Sequence, residues 1–271
     1  MKPPKLVALD VDGTLVGRDL KITAPVQSAV AALRRAGVAC CLVTGRMYRA
    51  TIPFARELSL DSPVICYQGA AIIDPVTDEV IAHTALSNEI VRELIAVTER
   101  DRMHLQLYRN DEYYCEARNR FSELYAALSM TQPVIVPSLR EAFAFSPATK
   151  AVVIADAPVA AEYAATLTRV FGGRATVTRS LPEFVEILDP AVDKGAALRF
   201  VAVRLDVDMS ETMAIGDSWN DAPLLEAAGF AVAMGSSPPE LRKIADAVVG
   251  DIAHDGVAEA IEKYVLAAET A

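Results

Sequence analysis

Two carboxylates stand at the end of an apolar run near the start of the chain. The run Leu6–Leu9 leads directly into Asp10 and Asp12, and Gly13 follows where the chain must turn. Alternate residues of an extended chain point to the same side, so both carboxylates are expected to face one crevice. Two like charges this close require a cation between them, or a proton on one of them. The pair predicts metal binding or acid–base chemistry; the alternative is an Asp-Gly turn that merely ends a strand.

A hydroxyl and an arginine follow a second apolar run. Thr44, Gly45 and Arg46 come directly after Val38–Val43 and before a segment with helical spacing. A hydroxyl and backbone N–H groups at a helix start form a cradle for phosphate oxygens. Thr44 is also suited to be a simple N-cap, and Arg46 to be a solvated or ion-paired surface residue. Taken alone, this segment does not decide between the two interpretations.

A lysine opens a helix in the last third of the chain. Lys194 follows Asp193 and lies in the first turn of a predicted helix. The helix dipole favours anions at that end, so a lysine there indicates an anionic partner, although a surface lysine is the commoner alternative. In the context of the other segments, Lys194 is suited to neutralise Asp10 and a transferred phosphoryl group.

Acids and an amide cluster after another apolar run. Asp217, Asn220 and Asp221 follow the run Thr212–Ile215, at a predicted helix entrance. Hard oxygen ligands of this kind suit Mg²⁺, which takes few protein carboxylates. N-capping by Asn220 or Asp221 is the alternative, but it does not account for Asp217.

The elements that must position these side chains alternate between strand-like and helix-like segments. Continuous hydrophobicity in the strand-like runs indicates a sheet covered on both faces, as in a doubly wound parallel α/β fold. Gly37 and Gly229 lie where helix C-caps are expected. Strands are predicted over Leu6–Leu9, Val38–Val43, Pro63–Cys66, Thr212–Ile215 and Phe230–Met234, and helices over Ala24–Ala36, Arg46–Leu58, Lys194–Leu205, Asp221–Ala228, Pro239–Ala245 and Val257–Ala267.

The middle of the chain has a different pattern, typical of an inserted α+β module with its own sheet covered on one face by helices. We therefore predict a core domain over residues 1–82 and 190–271, and an inserted domain over 83–189. Inside the insert, helices are predicted over Asn88–Arg100 and Val159–Phe171, and strands over His104–Tyr108, Glu112–Glu116, Ala151–Ile154, Ala175–Thr178 and Phe184–Leu188.

Composition narrows the class of partner. The 271 residues carry 26 basic and 36 acidic side chains, a net charge of −10, which disfavours nucleic acid and anionic membranes and favours small solutes. A secretory signal and an apolar stretch of membrane-spanning length are both missing from the sequence, so a cytoplasmic protein is expected. The four scattered cysteines are expected to be buried thiols. The three histidines share no zinc-ligand or triad spacing.

Taken together, the motifs resemble the haloacid dehalogenase superfamily, and within it the Cof-type phosphatases with an α/β cap of the IIB type. The resemblance covers nearly the whole chain, because the motifs occur in the family's order with a cap-sized insert between the second and the third. It implies a Rossmann-like core. The segments that carry it are Asp10-Val11-Asp12-Gly13-Thr14, Thr44-Gly45-Arg46, Lys194-Gly195 and Gly216-Asp217-Ser218-Trp219-Asn220-Asp221.

The resemblance also implies roles for the site residues. Asp10 would be the nucleophile, and Asp12 the general acid and then the general base. Thr44 and Lys194 would hold the phosphoryl oxygens, with Gly45, Arg46 and Asn220 as further phosphate or substrate contacts. Mg²⁺ would be bound by Asp10, the backbone carbonyl of Asp12, and Asp217, with Asp221 supporting them.

Three segments depart from the family pattern. The family usually has Asn-Gly-Ala after the third core strand, where this chain has Gln68-Gly69-Ala70. It usually has Met-Gly-Asn-Ala where this chain has Met234-Gly235-Ser236-Ser237, and a Met where this chain has Leu224. These departures bear on secondary phosphate and substrate contacts rather than on the four motifs.

The expected function is hydrolysis of small phosphomonoesters, such as sugar phosphates or phosphorylated cofactors, by a monomer or a small homo-oligomer. Two alternatives stay open. A mutase built on the same core would move phosphate between two hydroxyls, and a binding protein would retain the scaffold without catalysis. The second carboxylate, Asp12, argues against pure binding, which does not need it.

Overall fold

The computed structural model describes residues 2–267. Residue 1 and residues 268–271, which belong to the predicted core domain, lie outside the described part. In chain order the described strands are β1 (Leu6–Asp10), β2 (Ala39–Val43), β3 (Val64–Cys66), β4 (Ala71–Ile73), β5 (Val80–His83), β6 (His104–Arg109), β7 (Glu112–Cys115), β8 (Val134–Ile135), β9 (Ala151–Ile154), β10 (Thr176–Leu181), β11 (Phe184–Leu188), β12 (Thr212–Gly216), β13 (Phe230–Ala233) and β14 (Ala247–Val248).

Helices alternate with these strands. Short 3₁₀ segments cover Tyr67–Gly69, Met209–Glu211, Trp219–Asp221 and Ile252–His254, and a π segment covers Glu262–Leu266. The α-helices are α1 (Ala24–Arg35), α2 (Tyr48–Glu57), α3 (Asn88–Asp101), α4 (Arg120–Ser129), α5 (Leu139–Ala142), α6 (Ala157–Phe171), α7 (Lys194–Arg204), α8 (Ala222–Ala227), α9 (Pro239–Ile244) and α10 (Gly256–Ile261).

The chain divides into two compact units. The first unit comprises the residues up to Gly45, Thr51–Ile81 and the chain from Asp193 onward, and the second comprises Arg46–Ala50 and Ala82–Val192. The short piece Arg46–Ala50 therefore groups with the second unit, although it lies outside the inserted domain that the sequence predicts.

The first unit is built on an eight-stranded sheet in the order β14-β13-β12-β1-β2-β3-β4-β5. Pairing is parallel from β14 through β3, and β4 runs antiparallel to β3. Every residue of β1 and β12 is buried, which explains their continuous apolar sequences. This confirms the predicted α/β class with a parallel sheet.

Sequence patterns located most elements of the first unit, within a few residues at each end. The antiparallel strand β4 and the edge strands β5 and β14 were not predicted, because they are short and carry weak periodicity. Gly37 has a φ of 76° and follows α1, as a left-handed C-cap position should. The prediction for Gly229 was wrong, since α8 ends with Ala228 in an extended conformation.

The second unit has a six-stranded sheet of its own, in the order β10-β11-β9-β6-β7-β8. All neighbouring pairs are antiparallel except β7 and β8. One face packs against α3 and α6 through an apolar cluster that includes Leu94, Leu107, Val153, Leu167 and Val185. Alternation along the strands places these side chains on the helix-covered face, as the sequence predicts.

The opposite face of the second sheet carries buried polar and aromatic side chains, which the sequence did not reveal. Tyr108 and Tyr113 stack at 5.8 Å, and Tyr125 from the unpredicted helix α4 meets both rings edge-on. Beside them Lys150 Nζ lies 2.8 Å from Glu186 Oε2, with both side chains almost fully buried. The ion pair and the rings therefore share one water-poor environment.

All four cysteines, at positions 40, 41, 66 and 115, are free and buried, as predicted. Burial raises the pKa of the Cys41 thiol to about 12, so this thiol stays protonated at neutral pH. Among the described helices, none combines the length and the apolar character needed to cross a bilayer.

The buried ion pair gives a prediction for stability. Glu186→Gln should lower the free energy of unfolding by about 3 kcal/mol, because it leaves the Lys150 ammonium buried without its counter-charge. Urea denaturation followed by circular dichroism measures the change. Arg120→Gln is the matched control in the same unit: Arg120 pairs with Asp156 at 2.7 Å on the surface, and its loss should cost less than about 1 kcal/mol. Equal losses for both variants would contradict the role given to burial.

Candidate active site

Asp10 is delivered by the central strand of the first sheet. β1 lies between β12 and β2, and Asp10 is its last residue, paired in register with Val43. Only 4% of Asp10 is exposed. In an open α/β sheet the carboxyl ends of the strands form the ligand crevice, so a buried carboxylate at this point faces the position where ligands bind.

Thr44 follows Val43 and therefore lies beside Asp10 at the same sheet edge. It is buried, and its backbone N–H donates to the carbonyl of Ile65 at 2.8 Å. The predicted helix over Arg46–Leu58 starts later than expected, because α2 begins at Tyr48. Thr44 is therefore not the N-cap of α2, which removes one alternative for it.

Lys194 is the first residue of α7 and points inward. Asp193 caps this helix, with its Oδ1 accepting from the N–H of Ala196 at 2.6 Å. The Lys194 Nζ donates to Asp10 Oδ1 and to Asp221 Oδ1, both at 2.6 Å, and the side chain is 1% exposed. The surface-lysine alternative is thereby excluded. Burial lowers the pKa of Lys194, but Asp10 and Asp221 raise it by more, so the amine remains charged.

The fourth motif forms a tight loop after β12. Asp221 is fully buried, and its Oδ2 accepts from the N–H groups of Asp217 and Ser218 at 3.0 Å each. Thr14 Oγ1 donates to Asp217 Oδ1 at 3.4 Å. Asp221 therefore supports the loop that presents Asp217, and its other oxygen holds Lys194.

Asp10, Asp217 and Asp221 form one carboxylate cluster, with an oxygen from each lying within 4.8 Å of the others. Burial, and next the charge of Asp221, raise the pKa of Asp10 well above its usual range, while Lys194 opposes them. Burial and Asp221 likewise raise the pKa of Asp217 to about 7. Three carboxylates share one ammonium, so the donor set fits an added divalent cation that prefers oxygen ligands, such as Mg²⁺.

Gly13 makes the close approach between the first and fourth motifs possible. Its φ is 86°, and a Cβ at this position would lie 2.1 Å from Asp217 Oδ2. Any side chain would therefore displace Asp217 in addition to straining the backbone. The glycine of the Asp-Gly turn thus has a packing role at the site, beyond ending a strand.

The other predicted residues differ in where they lie. Asp12 lies two residues past the end of β1, is exposed, and is not a member of the carboxylate cluster. Asp12 still lies close enough to Asp217 to raise its pKa.

Arg46 is buried and belongs to the second unit. Burial raises the pKa of Tyr125 in that unit, and the positive charge of Arg46 acts in the opposite direction. Asn220 donates to Gln68 Oε1 at 3.0 Å.

Sequence reasoning assigned no role to two residues that make contacts at this site, Thr14 through its hydroxyl and Ser218 through its backbone N–H. Thr14 closes the first motif and Ser218 lies inside the fourth, so both were visible as motif members but received no role. The link from Gln68 to Asn220 spans 152 positions, and no spacing rule could have found it.

The sequence profile described as haloacid dehalogenase-like hydrolase matches residues 7–261. The chain belongs to this family. A Streptococcus pyogenes protein is 30% identical over 265 residues, which cover 97% of this chain and 98% of that protein. The 5-amino-6-(5-phospho-D-ribitylamino)uracil phosphatase of Bacillus subtilis is 28% identical over 268 residues, covering 96% of this chain and 97% of that protein.

Solved structures of haloacid dehalogenase-like proteins share the fold over nearly the whole chain. A haloacid dehalogenase-like hydrolase from Bacteroides thetaiotaomicron superposes with a TM-score of 0.86 at 27% identity, covering 96% of this chain and 99% of that one. The subclass IIB sugar phosphatase BT4131 superposes with a TM-score of 0.84 at 20% identity, covering 95% of this chain and 98% of that one, which shows the fold. The resemblance inferred from the motifs is confirmed.

The raised carboxyl pKa values give a prediction for this haloacid dehalogenase-like protein. The folded state holds protons on Asp10 and Asp217 that the unfolded chain releases near pH 4, so the unfolded state binds fewer protons between about pH 4 and 7. With a chelator present to remove metal ions, the free energy of unfolding should therefore fall as the pH rises through this interval, by on the order of 1 kcal/mol per pH unit for each group. Urea denaturation at a series of pH values measures the slope.

Asp217→Asn supplies the control, since it removes one of the titrating groups and should make the free energy of unfolding depend less steeply on pH. Mg²⁺ should restore stability above pH 7, because a bound cation offsets the repulsion among the carboxylates. A stability that rises from pH 5 to pH 7 in the chelator would contradict the electrostatics described for the cluster.

Proposed function

We propose that the protein is a Mg²⁺-dependent phosphatase of small phosphomonoesters that acts through a phosphoryl intermediate on Asp10. The observation that carries the proposal is the buried contact of Lys194 with Asp10 and Asp221, beside Asp217. A nucleophilic carboxylate, a fixed ammonium and a cation-binding acid at one sheet edge are the groups that phosphoryl transfer needs.

The first half-reaction forms a covalent bond between the protein and phosphorus. An Asp10 carboxylate oxygen attacks the phosphorus of the ester, and the bond from phosphorus to the ester oxygen breaks. Asp12 donates its proton to the departing alkoxide, which leaves as an alcohol. The exposed position of Asp12 supports this role, because it must meet a leaving group that arrives from solvent.

The second half-reaction restores the enzyme. Asp12, now a carboxylate, takes a proton from water, and the resulting hydroxide attacks phosphorus. The bond between phosphorus and the Asp10 oxygen breaks, inorganic phosphate is released, and Asp12 is again protonated. Lys194 stays charged throughout and stabilises negative charge on Asp10 and on the phosphoryl oxygens.

Asp10, the backbone carbonyl of Asp12, Asp217 and Asp221 are proposed to hold Mg²⁺, which would neutralise phosphoryl charge when bound. Thr44 and Asn220 are proposed to contact the phosphoryl oxygens, together with the backbone of Gly45. Arg46 is proposed as a further substrate contact, since it directly follows this segment in the chain.

The substrate class is proposed to be sugar phosphates or phosphorylated cofactors. A named phosphatase of a phosphorylated ribityl compound among the relatives supports the reaction type and this class of substrate. The acidic net charge also favours small solutes over nucleic acid. The first unit is proposed as the catalytic core and the second as the cap that selects the leaving group.

Substitution of the nucleophile tests the reaction. Asp10→Asn should lower the rate of Mg²⁺-dependent release of inorganic phosphate by about 10³-fold or more, because an amide is a poor nucleophile toward phosphorus. A screen over sugar phosphates, pyridoxal phosphate, flavin mononucleotide and nucleotides measures it. Thermal unfolding of the variant should occur at or above the wild-type temperature, since one of three crowded carboxylates is removed.

Two outcomes would count against the proposal. Activity retained by a folded Asp10→Asn variant would exclude Asp10 as the nucleophile. Isomerisation of a sugar phosphate without phosphate release would instead assign phosphotransfer between hydroxyls. Asp78→Asn is a suitable control, because this exposed residue pairs with Arg56 on the surface and takes no part in the site.

A further inference from the structure

The turn after β3 holds three consecutive residues in left-handed backbone conformations. The φ values are 53° at Tyr67, 60° at Gln68 and 106° at Gly69. A positive φ is uncommon for residues other than glycine, and glutamine lacks the local hydrogen bonding that makes asparagine tolerant of it. Such a turn persists only where its surroundings fix it, and strained backbone of this kind is enriched at functional sites.

The surroundings that fix the turn are three of the segments at the candidate active site. The Gln68 N–H donates to the Thr44 carbonyl at 2.9 Å. A Cβ on Gly69 would lie 2.5 Å from the carbonyl oxygen of Asp193, the residue before Lys194, so the backbones touch there. Gln68 Oε1 accepts from the Asn220 amide at 3.0 Å. One buried turn therefore contacts the second, third and fourth motifs.

The contact with Asn220 is made by the Gln68 side chain. Gln68 is 2% exposed, so the bond from the Asn220 amide is shielded from water. Asn220 Oδ1 is itself buried, and among the described residues it has no hydrogen-bond partner. This bond uses one of the two N–H groups of the Asn220 amide, so the other N–H is the group that can donate to a phosphoryl oxygen.

We infer that Gln68 is a positioning residue, which holds the Asn220 amide in the orientation needed for phosphoryl transfer. The inference rests on the proposed phosphatase function. The length of the side chain is the reason for glutamine: asparagine suits the left-handed backbone better, but its amide ends one methylene short of Asn220. At this position the left-handed backbone favours asparagine, whereas the distance to Asn220 favours glutamine. The chain has glutamine.

Two substitutions separate the effect of the hydrogen bond to Asn220 from the effect of Gln68 on the stability of the fold. Gln68→Asn should keep or raise the thermal unfolding temperature, because asparagine tolerates a positive φ, and should lower kcat roughly tenfold because the bond is lost. Gln68→Met keeps the length without the acceptor and should lower kcat by a similar factor. A purely structural role for Gln68 predicts instead that kcat and unfolding temperature move in the same direction in Gln68→Asn.

An Asn220→Ala background completes the test. If Gln68 acts through Asn220, Gln68→Met should change kcat less than about twofold in that background. A tenfold loss there, or full kcat in Gln68→Asn, would overturn the inference.

The protein's single tryptophan supplies a readout that does not depend on turnover. Trp219 is adjacent to Asn220 and half-exposed. Acrylamide quenching of its fluorescence, with Mg²⁺ and inorganic phosphate as the only additions, should differ between the wild type and Gln68→Met. Unchanged quenching would show that Gln68 does not set the position of this loop. If the wild type releases no phosphate from any ester, the proposed function fails, and the quenching comparison still reports on Gln68 separately.

Discussion

One buried ammonium determines the arrangement of the first unit. Lys194 Nζ lies 2.6 Å from both Asp10 and Asp221, and all three side chains are almost entirely withdrawn from water. Burying charges is costly unless each has a close partner, so the three must keep this geometry or the fold loses stability. The first strand, the start of α7 and the loop after β12 are thereby held in one place.

That geometry depends on a parallel sheet. Asp10 and Asp221 follow the neighbouring parallel strands β1 and β12, whose carboxyl ends meet at one edge. Lys194 reaches both from the start of α7, although it is 184 positions from Asp10 and 27 from Asp221. The second unit, whose sheet has its own apolar core, occupies most of the interval between Thr44 and Lys194. An insert that packs its own core can lie between two motifs without disturbing the sheet that joins them.

Sequence reasoning reached the fold class, most elements and the residues of the carboxylate cluster, because long apolar runs and acids at strand ends are local patterns. It failed where the deciding contact is not local. Helix α4 was missed, yet its Tyr125 packs on Tyr108 and Tyr113 in a buried face that the sequence had not indicated. The bond between Gln68 and Asn220 likewise depends on tertiary placement.

The charge of the cluster explains why a cation belongs to the proposed chemistry independently of any resemblance. Asp10, Asp217 and Asp221 together carry three negative charges when ionised, and Lys194 contributes only one positive charge. A phosphomonoester is itself an anion at neutral pH, so it would approach a site of its own sign and meet a nucleophile whose burial favours the protonated form. A divalent cation held by these carboxylates would remove both obstacles, since it would lower the pKa of Asp10 and offset the repulsion. The same crowding that raises the pKa values of these acids is therefore the physical reason why the proposed reaction would require a cation to bind before the phosphate.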